Sequence, residues 1–309
     1  MNVASFNFQS WRGYLELMRP ANIVTAWADI LVGFAASGGI VSDKLINGQV
    51  TLEVLIPLAW LLLATTGLYG GGIVFNDVFD AELDAKERPN RAIPSGRVSR
   101  QSATLLGSIL FAIGIVAAFQ VSWLSGAIAI FITLSSLLYD SLAKHHPFFG
   151  PLNMGLCRGS NLLLGVSAVP AIVWERWYLA LIPVLYIAAI TAISQGEVHG
   201  GKKITGILAL VLIAIVLTAV LALGLLEDYT VMAALPFAVL LAIRVVPNFI
   251  QAAREPVPDK IRTAVKVGVL SLIVLDATIA SGFAGLYYGL LVLLLLPISM
   301  KLAQVFAVT

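Results

Sequence analysis

The stretch from Asn76 to Gly96, NDVFDAELDAKERPNRAIPSG, gathers the residues of this chain best suited to chemistry. Asn76, Asp77, Asp80 and Asp84 have the spacing NDxxDxxxD. Continued as a helix at about 100° per residue, the three aspartates fall on one face over two turns. Carboxylates so placed repel one another unless a cation joins them. Carboxylate and amide oxygens are the ligands that hard cations prefer, and Mg²⁺ typically bridges one or two carboxylates to substrate phosphates while keeping waters. Arg88, Arg91 and Arg97 follow at once, and guanidinium groups suit phosphate oxygens through paired hydrogen bonds. The pattern implies a Mg²⁺ site for a diphosphate, with Asn76, Asp77, Asp80 and Asp84 as ligands. The plain alternative is a solvated acidic and basic connector. Four ligand positions at the right spacing beside three arginines argue against it.

The elements that must position these residues are membrane helices. Of the 309 residues 59% are hydrophobic and 12% charged, with a mean hydropathy of +0.95. That is too little polar material to cover a soluble globule of this length. Apolar stretches long enough to cross the hydrocarbon follow one another. No alternating ten-residue pattern of the barrel type occurs, so the expected fold class is all-α, a polytopic transmembrane bundle. Spans are expected near 20 to 40, 53 to 75, 102 to 119, 122 to 139 and 152 to 173. Five more are expected near 177 to 195, 204 to 226, 231 to 252, 263 to 283 and 285 to 305. With the N-terminus cytoplasmic, nearly all loop Lys and Arg residues share one side, and only Lys44 and Arg176 fall on the other. This asymmetry predicts a cytoplasmic 76 to 101 loop. No cleavable signal is evident in the polar and aromatic first fifteen residues, and the first span is expected to direct insertion.

The same composition excludes other functions. A net charge of +2 and basic residues scattered between spans give no footprint for nucleic acid. Cys157 is the one cysteine, so intrachain disulfides and cysteine metal sites are excluded. His145 and His146 are adjacent and receive no role.

The Asp-rich stretch resembles the first Asp-rich motif of the UbiA superfamily, intramembrane enzymes that move a prenyl group from a prenyl diphosphate to an aromatic or other acceptor. Its continuation, ERPNRAIPSGRVS, is similar to the archaeal digeranylgeranylglyceryl phosphate synthase version, with Ala92 where a proline is usual. Further pieces resemble the superfamily: LMRPANIVTAWADILVGF around Arg19 and Asn22, LLYDSLAKHHPFFGPLNMG around Tyr139 and Lys144, and DKIRTAVKVGVLSLIVLDA around Arg262. The segments CRGSNLLLG and SQGEVHGG look more like the EboC branch than like the ubiquinone or menaquinone enzymes.

The resemblance covers nearly the whole chain and implies one UbiA-like prenyltransferase domain over residues 1–309. Its nine to ten helices would surround a central cleft open to the cytoplasmic side and to lipid. It also implies a second acidic loop, spaced DxxxD, that holds another Mg²⁺. Here Glu197 stands at the second of those positions and Ile193 at the first, so this second motif is degenerate. Gln195 or His199 are the candidates to replace the missing oxygen. The implied catalytic set is Asp77, Asp80, Asp84 and Glu197, with Arg19, Asn22, Arg88 and Lys144 binding substrate. The implied partners are Mg²⁺, a prenyl diphosphate, a small hydrophobic acceptor of aromatic or lipid-like character, and membrane lipid.

Polar residues inside spans add to this set, because ionisable groups there are costly and face cavities or partners. Asn153, Cys157 and Asn161 recur at i, i+4 and i+8, with Arg158 beside them. This face either lines the cleft, making Asn153 and Arg158 substrate contacts, or forms a hydrogen-bonded seam between helices. Asp29, Asp276 and Arg244 also fall within spans, where structural pairing is as good an account as catalysis. Two rivals to an enzyme follow. One is a UbiA-like binding or transport component without turnover, motivated by Ile193. The other is a secondary transporter, disfavoured because its sites usually lie at the midplane rather than in a loop.

Overall fold

The computed structural model describes residues 8–40, 51–144 and 146–306; Lys44 and His145 lie outside them. Among the described residues the chain is helical throughout, without strands. Its helices are α1 (Phe8–Met18), α2 (Pro20–Ala36), α3 (Leu52–Phe79), α4 (Ala81–Glu87), α5 (Arg100–Phe119), α6 (Trp123–Leu138) and α7 (Phe149–Val166). Then come α8 (Pro170–Arg176), α9 (Leu181–Ser194), α10 (Lys203–Ala222), α11 (Val231–Arg254), α12 (Pro258–Ala284), α13 (Leu286–Leu293) and α14 (Leu295–Val305). Among the described residues eight stretches are long and apolar enough to cross a membrane, counting α8 with α9 and α13 with α14 as single spans. The expected first and fifth spans correspond to α2, of 17 residues, and α7, of 18. The protein is an integral, multi-pass membrane protein.

Local sequence sets the helix ends. Pro20 and Pro258 stand in the first turns of α2 and α12, where a missing N–H costs nothing. Ser99 and Ser122 cap α5 and α6 by accepting the backbone N–H groups of Ser102 and Ser125, each at 3.0 Å. Gly285, at φ 89°, separates α12 from α13.

The centre of the bundle is α12, whose most apolar stretch is 83% buried, against 50% or less for the other seven spans. Helix α2 is buried along nearly its whole length beside it. The C-terminal span docks on α2 through Tyr288, whose hydroxyl donates to the Leu31 carbonyl at 3.0 Å, and through Ser299, which donates to the Ala21 carbonyl at 3.0 Å. Helices α2 and α7 meet backbone to backbone. A Cβ on Gly33 would lie 2.2 Å from the Leu162 carbonyl oxygen, and one on Gly165 would lie 2.5 Å from the Ile30 oxygen. Small residues permit such contacts, which drive helix association where lipid is as apolar as the side chains.

Gly33→Ala is therefore expected to force α2 off α7 and destabilise the protein by about 1–3 kcal/mol or more. Thermal unfolding in detergent measures this, and an unchanged midpoint would show that the contact can open freely.

Candidate active site

The Asp-rich turn departs from the continuous helix expected of it. Helix α3 ends at Phe79, Asp80 is the junction, and α4 begins at Ala81. The break splits the aspartates between two directions. Asp77 and Asp84 are buried and share Arg91, whose Nη1 lies 3.3 Å from Asp77 Oδ1 and 2.7 Å from Asp84 Oδ2. Arg19 Nη2 donates to the same Asp77 oxygen at 2.6 Å. Asp80 turns instead to Lys144, with which it forms an ion pair.

Arg19 is the one non-glycine residue at positive φ among the described residues, with φ 42° at the start of α2. Such backbone strain persists where surroundings over-determine it, as at ligand-binding sites. Burial lowers the pKa of this guanidinium, Asp77 raises it, and the nearby charges of Arg91 and Arg88 lower it again. Three guanidinium groups thus crowd one wall.

Lys144 follows a π-helical turn, Tyr139–Ala143, in which its N–H reaches back to the Tyr139 carbonyl at 2.9 Å. Such turns frequently mark functional sites. This one carries Asp140, which accepts from the Asn76 side-chain amide at 2.7 Å.

These elements enclose a cleft of about 380 Å³. Its polar end is lined by Arg19, Asn22, Asn76, Asp80, Asp84, Arg88, Arg91, Asp140, Lys144 and Glu197. Leu68, Tyr69, Ile73, Ile132, Ile190 and Val265 continue it as an apolar shaft between spans. Glu197 reaches it from the loop after α9. Burial raises the pKa of that carboxyl, with Arg88 and Arg262 acting in the opposite sense. Ile193 is buried in the largest hydrophobic core cluster. Gln195 and His199 are exposed and absent from the lining, whereas Thr191 and Ser194 belong to it.

Asp77 borders not this cleft but a second cavity behind the turn. Arg158 and Asn153 also lie outside the cleft lining. The stripe on α7 is divided: Cys157 lines the cleft, and half-buried Asn153 accepts its weak S–H bond at 3.7 Å. Asn161 and Arg158 face the bundle core. There Arg158 Nε lies 2.6 Å from Asp29, and its Nη2 lies 4.0 Å from Asp276. Its Nη1 donates to Thr25 Oγ1 at 3.1 Å and to the Tyr69 hydroxyl at 3.0 Å. Asn161 donates to Asp29 at 2.9 Å and accepts from Thr65 at 2.7 Å. Arg244 stands apart, bonded to Ser271 at 3.3 Å.

Asp140 and Tyr69 are the site residues that sequence reasoning missed. The signal for Asp140 was present: an acid at the end of a span, four residues before Lys144. Tyr69 carried no signal beyond its place two turns before Asn76.

Among the described residues no group of three or more His, Cys, Asp or Glu side chains is arranged to hold a metal ion. The donor chemistry nevertheless suits Mg²⁺, since Asp80, Asp84, Asp140, Glu197 and the Asn76 amide bring only hard oxygen donors and one amide to the same cleft. Asp80 and Asp84 rest on basic side chains in this structure.

The sequence profile of the UbiA prenyltransferase family matches residues 30–260. The chain belongs to this family. A relative described as digeranylgeranylglyceryl phosphate synthase, from Methanosarcina mazei, is 35% identical over 194 residues, which is 60% of this chain and 63% of the relative. The chain thus spans under two thirds of that relative's length. A solved structure concerning digeranylgeranylglyceryl phosphate synthase in membranes superposes with a TM-score of 0.65 at 20% identity, covering 90% of this chain and 99% of that one. A UbiA homologue from Archaeoglobus fulgidus, solved bound to DMAPP and Mg²⁺, superposes with a TM-score of 0.50 at 14% identity, covering 95% and 99%. Both share the UbiA fold.

Removing Arg158 would leave Asp29 and Asp276 facing each other without a cation. Arg158→Met is expected to destabilise the protein by about 3–5 kcal/mol, far more than Asp80→Asn at the wetter rim. Thermal unfolding of the two variants compares them, and equal losses would mean that the buried cluster is no brace.

Proposed function

We propose that this protein transfers a prenyl group from a prenyl diphosphate to a small acceptor of glyceryl phosphate type, with Mg²⁺ as cofactor. One observation carries the proposal: a single cleft joins an oxygen-donor and guanidinium end to an apolar shaft within a membrane bundle. The polar end suits a diphosphate and the shaft suits an isoprenoid tail. Family membership supports the reaction class. The Methanosarcina mazei relative supports the acceptor, and the Archaeoglobus fulgidus homologue supports the donor and cation.

In this reading Asn76, Asp80, Asp84, Asp140 and Glu197 are the donors available to Mg²⁺, which when bound neutralises charge on a departing diphosphate. Asp77 acts through Arg19 and Arg91, holding both against the turn. Arg19, Arg88, Arg91 and Lys144 clamp the phosphate oxygens. The shaft excludes water from an allylic carbon that becomes cationic as the bond to oxygen breaks. Asn22 borders the diphosphate, and the cleft end of the bundle faces the cytoplasm. The chain acts as one domain.

The second loop contributes one carboxylate, because the side chain at 193 belongs to the core. That observation favours one rival, a carrier that binds the prenyl diphosphate without turnover.

Purified protein in lipid nanodiscs is expected to release diphosphate from geranylgeranyl diphosphate when Mg²⁺ and an alkylglyceryl phosphate acceptor are both supplied, the acceptor hydroxyl gaining the prenyl group and giving its proton to solvent, and to stop when EDTA removes the cation. Asp80→Ala and Asp84→Ala should each lower the rate roughly a hundredfold or more, with Asp80→Ala nearly unchanged in its unfolding midpoint and Asp84→Ala, which unpairs Arg91, lower but still cooperatively folded. Saturable binding with no release would favour the carrier, and full release by either variant would refute the assignment of its carboxylate.

A further inference from the structure

Arg244 is a charged group deep in the bundle that the proposed prenyl transfer leaves without a role. It stands on α11 thirteen residues after the helix begins at Val231 and ten before it ends at Arg254. At 1.5 Å per residue those intervals are about 20 Å and about 15 Å, which puts it near the middle of a hydrocarbon layer about 30 Å thick. An arginine at that depth keeps its proton, and its charge is costly unless an anion answers it. Arg158, also deep in the bundle, has that answer in Asp29 and Asp276. Arg244 has no ion pair among the described residues. Its one side-chain hydrogen bond there runs from Nε to Ser271 Oγ at 3.3 Å, long for such a bond, and both Nη groups are unspent.

The surroundings of Arg244 open toward lipid. Ile243 beside it is 66% exposed and Val239, one turn earlier, 49%. Arg244 itself is half-buried. Asn248 and Gln251 continue the polar row at i+4 and i+7, toward the cytoplasmic end of α11. Asn248 gives its Nδ2 to the Arg244 carbonyl at 2.8 Å, and its Oδ1 takes no hydrogen bond among the described residues. Pro247 lies inside the same helix and has no N–H to give the Ile243 carbonyl. Unspent donors and acceptors thus gather on one lipid-facing flank at mid-bilayer.

We propose that this flank of α11 is a docking surface for a transmembrane helix of another protein, one that carries a carboxylate at mid-bilayer and pairs it with Arg244. Depth selects this partner. Lipid phosphates lie at the interfaces, about 15 Å or more from the middle of the hydrocarbon, so a headgroup does not reach the guanidinium. A second copy of this chain offers no anion at that depth, because Asp29 and Asp276 are buried on Arg158. A helix with an Asp or Glu near its centre does offer one, and the contact removes the cost of both charges together. Asn248 and Gln251 add hydrogen bonds across the same interface.

The test uses the full chain in liposomes of zwitterionic lipid. The probe is a synthetic polyleucine transmembrane helix with one central glutamate, compared at pH 8 with the same helix bearing glutamine. Energy transfer from labelled peptide to labelled protein gives the affinity of each. The glutamate helix is expected to bind roughly tenfold more tightly. Arg244→Met should abolish that preference while diphosphate release stays unchanged. Its unfolding midpoint should hold or rise, since an unanswered charge has left the hydrocarbon. A bracing role for the Arg244 to Ser271 contact would instead lower the midpoint in Arg244→Met and in Ser271→Ala alike, and that result would overturn the proposal. Equal binding of the two helices, or no binding of either, would also overturn it. Loss of the preference on adding phosphatidic acid would assign the guanidinium to lipid, and self-association abolished by Arg244→Met would assign it to a second copy; each rejects the partner named here.

Discussion

The contact between Arg19 and Asp77 fixes the geometry on which the site depends. It ties the first residue before α2 to the last turn of α3 at 2.6 Å, with the backbone of Arg19 held in the left-handed region. A β-carbon makes that conformation unfavourable for any residue but glycine, so the ion pair and the packing of α2 must hold it. Once Arg19 is placed, Asp77 is placed, and Asp77 in turn fixes Arg91, which reaches on to Asp84. The chain Arg19, Asp77, Arg91, Asp84 ties the loop after α4 to the start of α2 and the end of α3 and gives the cleft its charged wall.

A second constraint works deeper in the bundle. Arg158 from α7 meets Asp29 from α2, Asp276 from α12 and Tyr69 from α3, so four helices converge on one guanidinium that is 2% exposed. In hydrocarbon each of these groups is costly alone, and mutual contact is the one arrangement that retains them. Tyr69 couples this brace to the site, since its ring lines the cleft while its hydroxyl accepts from Arg158. The helices bearing the site therefore hold their rotation through a polar contact below it, where apolar packing against lipid offers little directional preference.

This division explains what could be read from the chain alone. Spans were legible because hydrocarbon thickness fixes their length: eight of the expected positions fall on stretches long and apolar enough to cross, the first falls on the shorter α2, and the fifth, expected over 152 to 173, ends early at Val166 because Pro170 opens the next span. The NDxxDxxxD spacing was legible because ligand chemistry demands those residue types close together. Helix rotation was not. Asn153, Cys157 and Asn161 share a stripe by spacing, yet Cys157 turns to the cleft and Asn161 to the core, a difference set by partners 132 and 96 residues away in sequence. Asp140 could have been read from its place four residues before Lys144, but its pairing with Asn76, 64 residues distant, could not. The helix break at Asp80 was hidden because nothing in FDAEL forbids a helix; tertiary ion pairing with Lys144 draws that carboxylate aside.

The pairing of acids with bases at the cleft also bears on how ligands enter. Asp77, Asp80 and Asp84 already have cationic partners, and Arg19, Arg91 and Lys144 already have anionic ones. In the proposed reaction a cation and its diphosphate would enter by exchange, the diphosphate oxygens meeting Arg19, Arg91 and Lys144 and the cation meeting Asp80 and Asp84. Neither ligand alone completes that exchange, because a lone anion meets carboxylates and a lone cation meets arginines. Cation and diphosphate would thus reinforce each other's binding, since the ion pairs lining the cleft disfavour entry by either one singly.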